Sequence, residues 1–103
     1  MVENLLAPLG NQMDDAVKFY KKAIELNPNQ PEYHFRLGLV YGSKGMNDDA
    51  ILCYEKAKSL NLDEPRYHYS LGLAYDAKGV HDKAMESLRK AMELQQFTPE
   101  IEP

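Results

Sequence analysis

An all-α solenoid of about two and a half repeats is the fold that the 103-residue sequence predicts. Two observations predict it. Pro31, Pro65 and Pro99 stand 34 residues apart, and residues 31–64 laid over 65–98 without a gap give fourteen identical pairs. A fixed period of this length marks a stacked array of one supersecondary unit. Such units touch only their neighbours, so the product is an extended, curved surface and not a closed core around a catalytic cleft. The expected work is holding another molecule.

Each period reads as helix, turn, helix. Pro31 and Pro65 stand where a first-turn proline sacrifices no hydrogen bond and presets φ. Apolar spacing follows at His34, Leu37, Gly38 and Tyr41, and again at His68, Leu71, Gly72 and Tyr75. Gly45 and Gly79 supply the residue type that ends a helix in the left-handed conformation. A second helix is expected from Asn47–Asp48 and from His81–Asp82, where acids meet the positive end of the helix dipole. It carries Ala50, Tyr54, Ala57 and Leu60, then Ala84, Leu88, Ala91 and Leu94. Polar links 61–64 and 95–98 lead to the next proline. No segment carries a strand signal.

Small residues predict close approach. A mid-helix glycine costs roughly 0.5–1 kcal/mol against alanine, and Gly38 and Gly72 repeat that cost. The partner helix is therefore expected to pass too near for a Cβ, with Ala50, Ala57, Ala84 and Ala91 as the facing small positions. Tyr41, Tyr54 and Tyr75 fill the space beside them, their hydroxyls reaching the edge.

At these residues the chain resembles the tetratricopeptide repeat family. Leu37, Gly38, Tyr41, Ala50, Tyr54 and Ala57 followed by Pro65 fit that family's unit, and Leu71, Gly72, Tyr75, Ala84, Leu88 and Ala91 followed by Pro99 fit it again. A partial copy comes first: Asp14, Asp15, Ala16, Tyr20, Lys22, Ala23, Leu26 and Asn27 lie 34 residues before their counterparts. The resemblance implies one right-handed α-solenoid domain over 1–103. Its parts are a partial repeat (1–30), two full repeats (31–64, 65–98) and the start of another (99–103). A front helix for the first copy belongs in residues 1–10, but Val2–Leu9 lacks the Leu-Gly-aromatic spacing and Pro8 disfavours it. Pro28 is expected to end the helix that follows. Residues 1–10 and 97–103 are expected to depart from the repeat conformation.

In the family the front helices line the concave face. Here Phe35 and Leu39, then Tyr69 and Leu73, form a second apolar ridge at i,i+4 spacing beside the packing stripe. Such a ridge suits an apolar or amphipathic segment of a protein partner, with Glu32, Arg36, Ser43, Arg66, Ser70 and Asp76 as a mixed polar rim. The family's Lys and Asn constellation that clamps a chaperone's C-terminal carboxylate is absent, since those positions hold Phe35, Leu39, Tyr69 and Leu73. Its asparagine ladder would need Asn where Arg36 and Ser70 stand.

Other classes are disfavoured. A net charge of −4 is no footprint for nucleic acid, and no apolar run approaches the ~20 residues of a membrane span. A single cysteine, Cys53, excludes an internal disulfide, and a cytoplasmic setting is the default. No HExxH, GxSxG or phosphate-cradling glycine loop occurs, so neither catalysis nor a cofactor is expected. His34 and His68 fall on the packing stripe with no further metal ligands in the neighbouring turns. Two further readings stand beside the partner groove. Incomplete solenoid ends, with Met85, Leu88 and Met92 bare, would drive homo-oligomerisation; or the repeats dock an enzyme whose catalytic domain lies outside the sequence.

Overall fold

The computed structural model describes residues 9–96 and contains five helices and no strand among them. They are α1 (Leu9–Leu26), α2 (Pro31–Ser43), α3 (Asn47–Leu60), α4 (Pro65–Ala77) and α5 (His81–Gln96). Helices adjacent in the chain pack on one another: α1 on α2, α2 on α3, α3 on α4 and α4 on α5. This is the stacked, all-α solenoid that the period predicts.

The punctuation acts as its chemistry requires. Pro31 and Pro65 open α2 and α4, and the side chains of Gln30 and Glu64 accept from the backbone N–H of Glu32 and Arg66. Gly45 and Gly79 adopt φ of 78° and 82°, a region that L side chains avoid, and both turns close onto their front helix. Met46 N–H donates to the carbonyl of Tyr41, and Val80 N–H to that of Tyr75, each at 2.9 Å. The histidines serve the links. His34 Nε2 donates to the Pro28 carbonyl at 2.8 Å, and His68 Nε2 to that of Leu62 at 2.9 Å. One repeated contact thus ties each link to the helix after it.

The mid-helix glycines are explained by distance. A Cβ at Gly38 would lie 2.6 Å from Tyr54 Cε1, and one at Gly72 would lie 2.6 Å from Leu88 Cδ2. Both are well inside van der Waals contact, so α2 and α3 approach over a glycine, as do α4 and α5. The core lies across α2, α3 and α4, where Phe35, Ala50, Tyr54, Ala57, Tyr67, Leu71 and Ala74 form one buried cluster.

The first copy departs from the pattern. Helix α1 runs without a break from Leu9 to Leu26. The turn that the full repeats make would fall, one period earlier, at residues 10–12, and the backbone there is helical. Leu9 and Gly10 therefore belong to the back helix and not to a front helix over residues 1–10. The other residues of that expected front helix, the departure of 1–8 and 97–103 from the repeat conformation, and the repeat start at 99–103 lie outside the described residues. The first helix stops at Leu26, just short of Pro28.

Candidate functional site

The apolar ridge read along the front helices divides into three. Phe35 belongs to the core. It is 5% exposed, with its ring 5.0 Å from that of Tyr67 and 5.9 Å from that of Tyr54. The Arg66 guanidinium covers it at 5.0 Å. Phe35 cannot present itself to a partner, and its assignment to the groove is corrected. The physical reason is the following repeat. Tyr67 and Arg66, in the first turn of α4, close over a residue that looks exposed when α2 is considered alone.

Leu39 and Leu73 do remain open, at 40% and 50% exposure. They come from neighbouring front helices and line one cleft of about 210 Å³, together with Tyr54, Ser70, Ala74 and Ala77. Leu39 also borders an open hollow against α1, of about 540 Å³, with Met13, Ala16, Val40 and Ser43. The two hollows share Leu39 and draw their lining from α1, α2, α3 and α4. Ala74, Ala77 and Met13 were not singled out in the sequence. Their signal was register: Ala74 follows Leu73 directly, Ala77 stands one turn after it, and Met13 lies on the helix before Leu39.

Tyr69 goes elsewhere. It is 53% exposed and lines a separate hollow between α4 and α5, with Arg66, Leu88 and Met92. Met92 is 61% exposed and Met85 65%, whereas Leu88 is half-buried against Gly72.

The polar rim is also partly structural. Glu32 accepts from Arg36 Nε at 3.2 Å and from Arg66 Nη2 and Nη1 at 2.9 and 3.2 Å. Tyr67 hydroxyl donates to the same carboxylate at 3.1 Å, and Arg66 Nε reaches Glu64 at 3.1 Å. Burial alone would raise the Glu32 carboxyl, but Arg66 and Tyr67 together outweigh it and hold the group below its ordinary value. The Arg66 hydrogen bond depresses Glu64 likewise. The pairing raises Arg66, which therefore stays charged. So Glu32, Arg36 and Arg66 knit two repeats together. Ser70 lines the cleft, while Asp76 accepts from His81 Nδ1 at 3.0 Å near the second turn.

A second tie recurs with the period. Lys44 Nζ reaches Asp14 at 2.6 Å, and Lys78 Nζ reaches Asp48. Each lysine follows a front helix and each aspartate lies on the back helix of the repeat before. No three His, Cys, Asp or Glu side chains gather as a metal site among the described residues, and no helix there is long and apolar enough to cross a membrane.

The comparisons agree with this architecture. A profile described as TPR repeat matches residues 9–45 and 43–79, and one described as tetratricopeptide repeat matches 65–98. No curated protein matches the chain. Among solved structures, a crystal structure of MamA is 34% identical with a TM-score of 0.81, covering 91% of this chain and 53% of that one. MamA of MSR-1 is 32% identical (TM-score 0.78), covering 82% and 49%. SycD, the type III secretion translocator chaperone of Yersinia enterocolitica, is 25% identical (TM-score 0.82), covering 90% and 64%. The chain spans about half the length of these MamA structures.

Proposed function

This chain belongs to the tetratricopeptide repeat family, and from that premise we propose that its front-helix face holds an apolar or amphipathic segment of a protein partner. The coarse function is that of a protein-interaction scaffold. The observation that carries the finer reading is the pairing of Leu39 with Leu73. Two half-exposed leucines from successive repeats flank one cleft and keep about half of their surface open to solvent. Covering them recovers roughly 1 kcal/mol each, about half the value for burying a fully exposed leucine. Ser70 at the cleft's edge offers a hydroxyl for orientation.

The reading excludes chemistry at this face. The cleft is lined by leucine, alanine, glycine and tyrosine with Asn47 and Ser70, and none of these lining residues is a base for the serine hydroxyl. Arg66 and Glu32, the charged pair on the same helices, are spent on each other. Affinity would come from apolar burial, so binding should depend weakly on salt.

The test is capture with the purified chain, wild type against Leu39→Glu with Leu73→Glu, read by mass spectrometry. Partners of the cleft are those lost with the double variant while circular dichroism shows unchanged helix content. An identical captured set overturns the assignment.

Self-association is the second reading, favoured by Phe19 and Leu26 on α1 at 65% and 75% exposure. Phe19 stacks edge-on against Tyr20 at 5.2 Å, so a large aromatic pair borders solvent. A head-to-tail contact would extend the solenoid, and an isologous one would close a dimer. Light scattering after size exclusion decides it, and a monomer at high concentration removes it.

A further inference from the structure

One stripe of α5 repeats, a period on, the stripe of α3 that α4 covers. Ile51, Glu55 and Lys58 on α3 become Met85, Arg89 and Met92 on α5. On α3 the stripe is filled. Tyr67 and Leu71 of α4 are buried, Ile51 packs against the cluster they belong to, and Glu55 accepts the Tyr75 hydroxyl at 2.8 Å. On α5 the counterparts stand open among the described residues. Met85 and Met92 are both largely exposed, and a hollow of about 470 Å³ lies beside Tyr69, Leu88 and Met92. Tyr69 is the counterpart of Phe35, yet it is 53% exposed where Phe35 is 5%.

The charges repeat with the stripe. Lys44 pairs with Asp14 and Lys78 with Asp48. Each lysine stands eleven residues after a tyrosine of its front helix, Tyr33 or Tyr67. The next aspartate of the series is Asp82, in the first turn of α5. Among the described residues it forms no ion pair, and neither does Arg89.

We propose that this α4–α5 face seats an amphipathic helix of a second protein. Its apolar residues at i, i+4 and i+7 repeat Tyr67, Leu71 and Ala74. A carboxylate at i+8 meets Arg89, and a lysine or arginine at i+11 meets Asp82. The occupant continues an interface that the chain already builds, with the helix on α5 as α4 lies on α3. Its charges follow from where the two stripes differ. Tyr75, at i+8, donates to Glu55; with Arg89 in that place the demand turns to an acceptor. Arg66, at i−1, pairs with Glu32; one repeat on, Arg66 itself holds the place of Glu32, so a carboxylate belongs at i−1 as well. Met85 and Met92 replace Ile51 and Lys58 with side chains that adapt to foreign surfaces. A helix from another chain brings its own termini, so α5 keeps its length through Gln96, with Gln95 at the rim of the hollow.

The probe is a synthetic peptide of residues 63–80 carrying Arg66→Glu and Tyr75→Glu, with a hydrocarbon staple joining positions 69 and 73 to hold it helical. It is titrated into the full 103-residue chain, labelled at methionine, leucine and tyrosine for NMR, with a soluble paramagnetic agent present. In the free chain the agent should broaden the Tyr69, Met85 and Met92 signals. Peptide should shift them saturably and shield them, leaving the Leu39 and Leu73 methyls in place. Met92→Glu in the chain should abolish saturation with helix content unchanged. Arg89→Glu should weaken binding on the order of fivefold, and a peptide with Tyr75→Lys in place of Tyr75→Glu should restore it. Asp82→Lys should act likewise and be rescued by Lys78→Asp in the peptide. No saturable shift at these three residues overturns the proposal, as do reversals that fail to restore binding. Signals already shielded in the free chain overturn it by showing the face covered. Signals that move when the chain alone is diluted overturn it by seating a second copy there. The readout does not involve Leu39 or Leu73, so it fails or succeeds independently of the partner cleft.

Discussion

Arg66 grips Glu32, one period earlier in the chain, with both terminal nitrogens of its guanidinium, at 2.9 and 3.2 Å. The same guanidinium lies over the rings of Phe35 and Tyr67 at 5.0 and 5.7 Å. Charge pairing and aromatic cover thus meet at the joint between the two full repeats. A bidentate pair of this kind is the geometry that arginine, and not lysine, supplies.

Removing that grip should loosen the joint. Arg66 is half exposed, which discounts the ion pair, but the stacking on Phe35 adds to it. Arg66→Ala is expected to lower the unfolding free energy by about 1 kcal/mol. Arg66→Lys should recover less than half of that, since an ammonium forms no fork. Urea titrations measure both, and equal stability of wild type and Arg66→Ala would refute the joint's role.

Acid should reveal the same carboxylates. Glu32 and Glu64 have folded values depressed below their ordinary 4.5. Their contribution is present above that pH and is lost as pH falls through the lower folded values. Thermal midpoints taken downward from neutral should hold until about pH 4.5 and then decline on this account. Glu32→Gln should start lower and fall less steeply in that window. A parallel decline in both proteins would remove Glu32 from the acid response.

The glycines should separate by what faces them. Gly38→Ala sets a methyl 2.6 Å from a tyrosine ring that cannot yield. Overpacking of that kind costs roughly 1–3 kcal/mol, despite alanine's better helix propensity. At Gly72 the obstacle is the tip and branch of a leucine, so the loss should be smaller. Gly42 meets only ordinary contacts, the nearest at 3.5 Å to the Tyr54 hydroxyl. Gly42→Ala should therefore stabilise, by up to about 1 kcal/mol. The order Gly42→Ala above wild type, then Gly72→Ala, then Gly38→Ala, is checked by thermal unfolding.

Cys53 should be a slow thiol. Burial, seconded by Asp49, pushes it up to about 11 from an ordinary 9.0. Near neutral pH that leaves on the order of a hundredfold less thiolate. An aromatic disulfide reagent should thus react on the order of a hundredfold more slowly with the native chain than with the chain in urea. The protonated thiol favours the fold at pH below 9.0, and that contribution is lost as pH rises toward about 11. Equal rates with and without urea would contradict the burial.

Most of the architecture was legible because its determinants are local. Pro31 and Pro65 act on their own φ, Gly45 and Gly79 on theirs, and the alanines on the helix they face. Gly38 and Gly72 were legible as a cost that only close packing repays. Phe35 was misread because its burial is decided by Tyr67 and Arg66, which stand one repeat away and arrive from above the helix. A ridge judged along a single helix has no means of seeing that cover. Tyr69 shares the spacing of Phe35 yet stays half exposed, so identical local patterns diverge with position in the stack. The run of α1 through Gly10 was missed for a related reason. A front helix was assumed from the period, although the residues there never carried its spacing.

The close approach over Gly38 and Gly72 bears on how such a chain can be cut and rejoined. Each glycine and the side chain that fills its notch, Tyr54 or Leu88, lie between one proline and the next. A cassette exchanged at the prolines carries lock and key together. A cassette exchanged at the glycine turns would set Gly38 against a leucine or Gly72 against a tyrosine ring. The heritable module of this chain is therefore bounded by Pro31 and Pro65, and recombination at Gly45 or Gly79 would mismatch the notches.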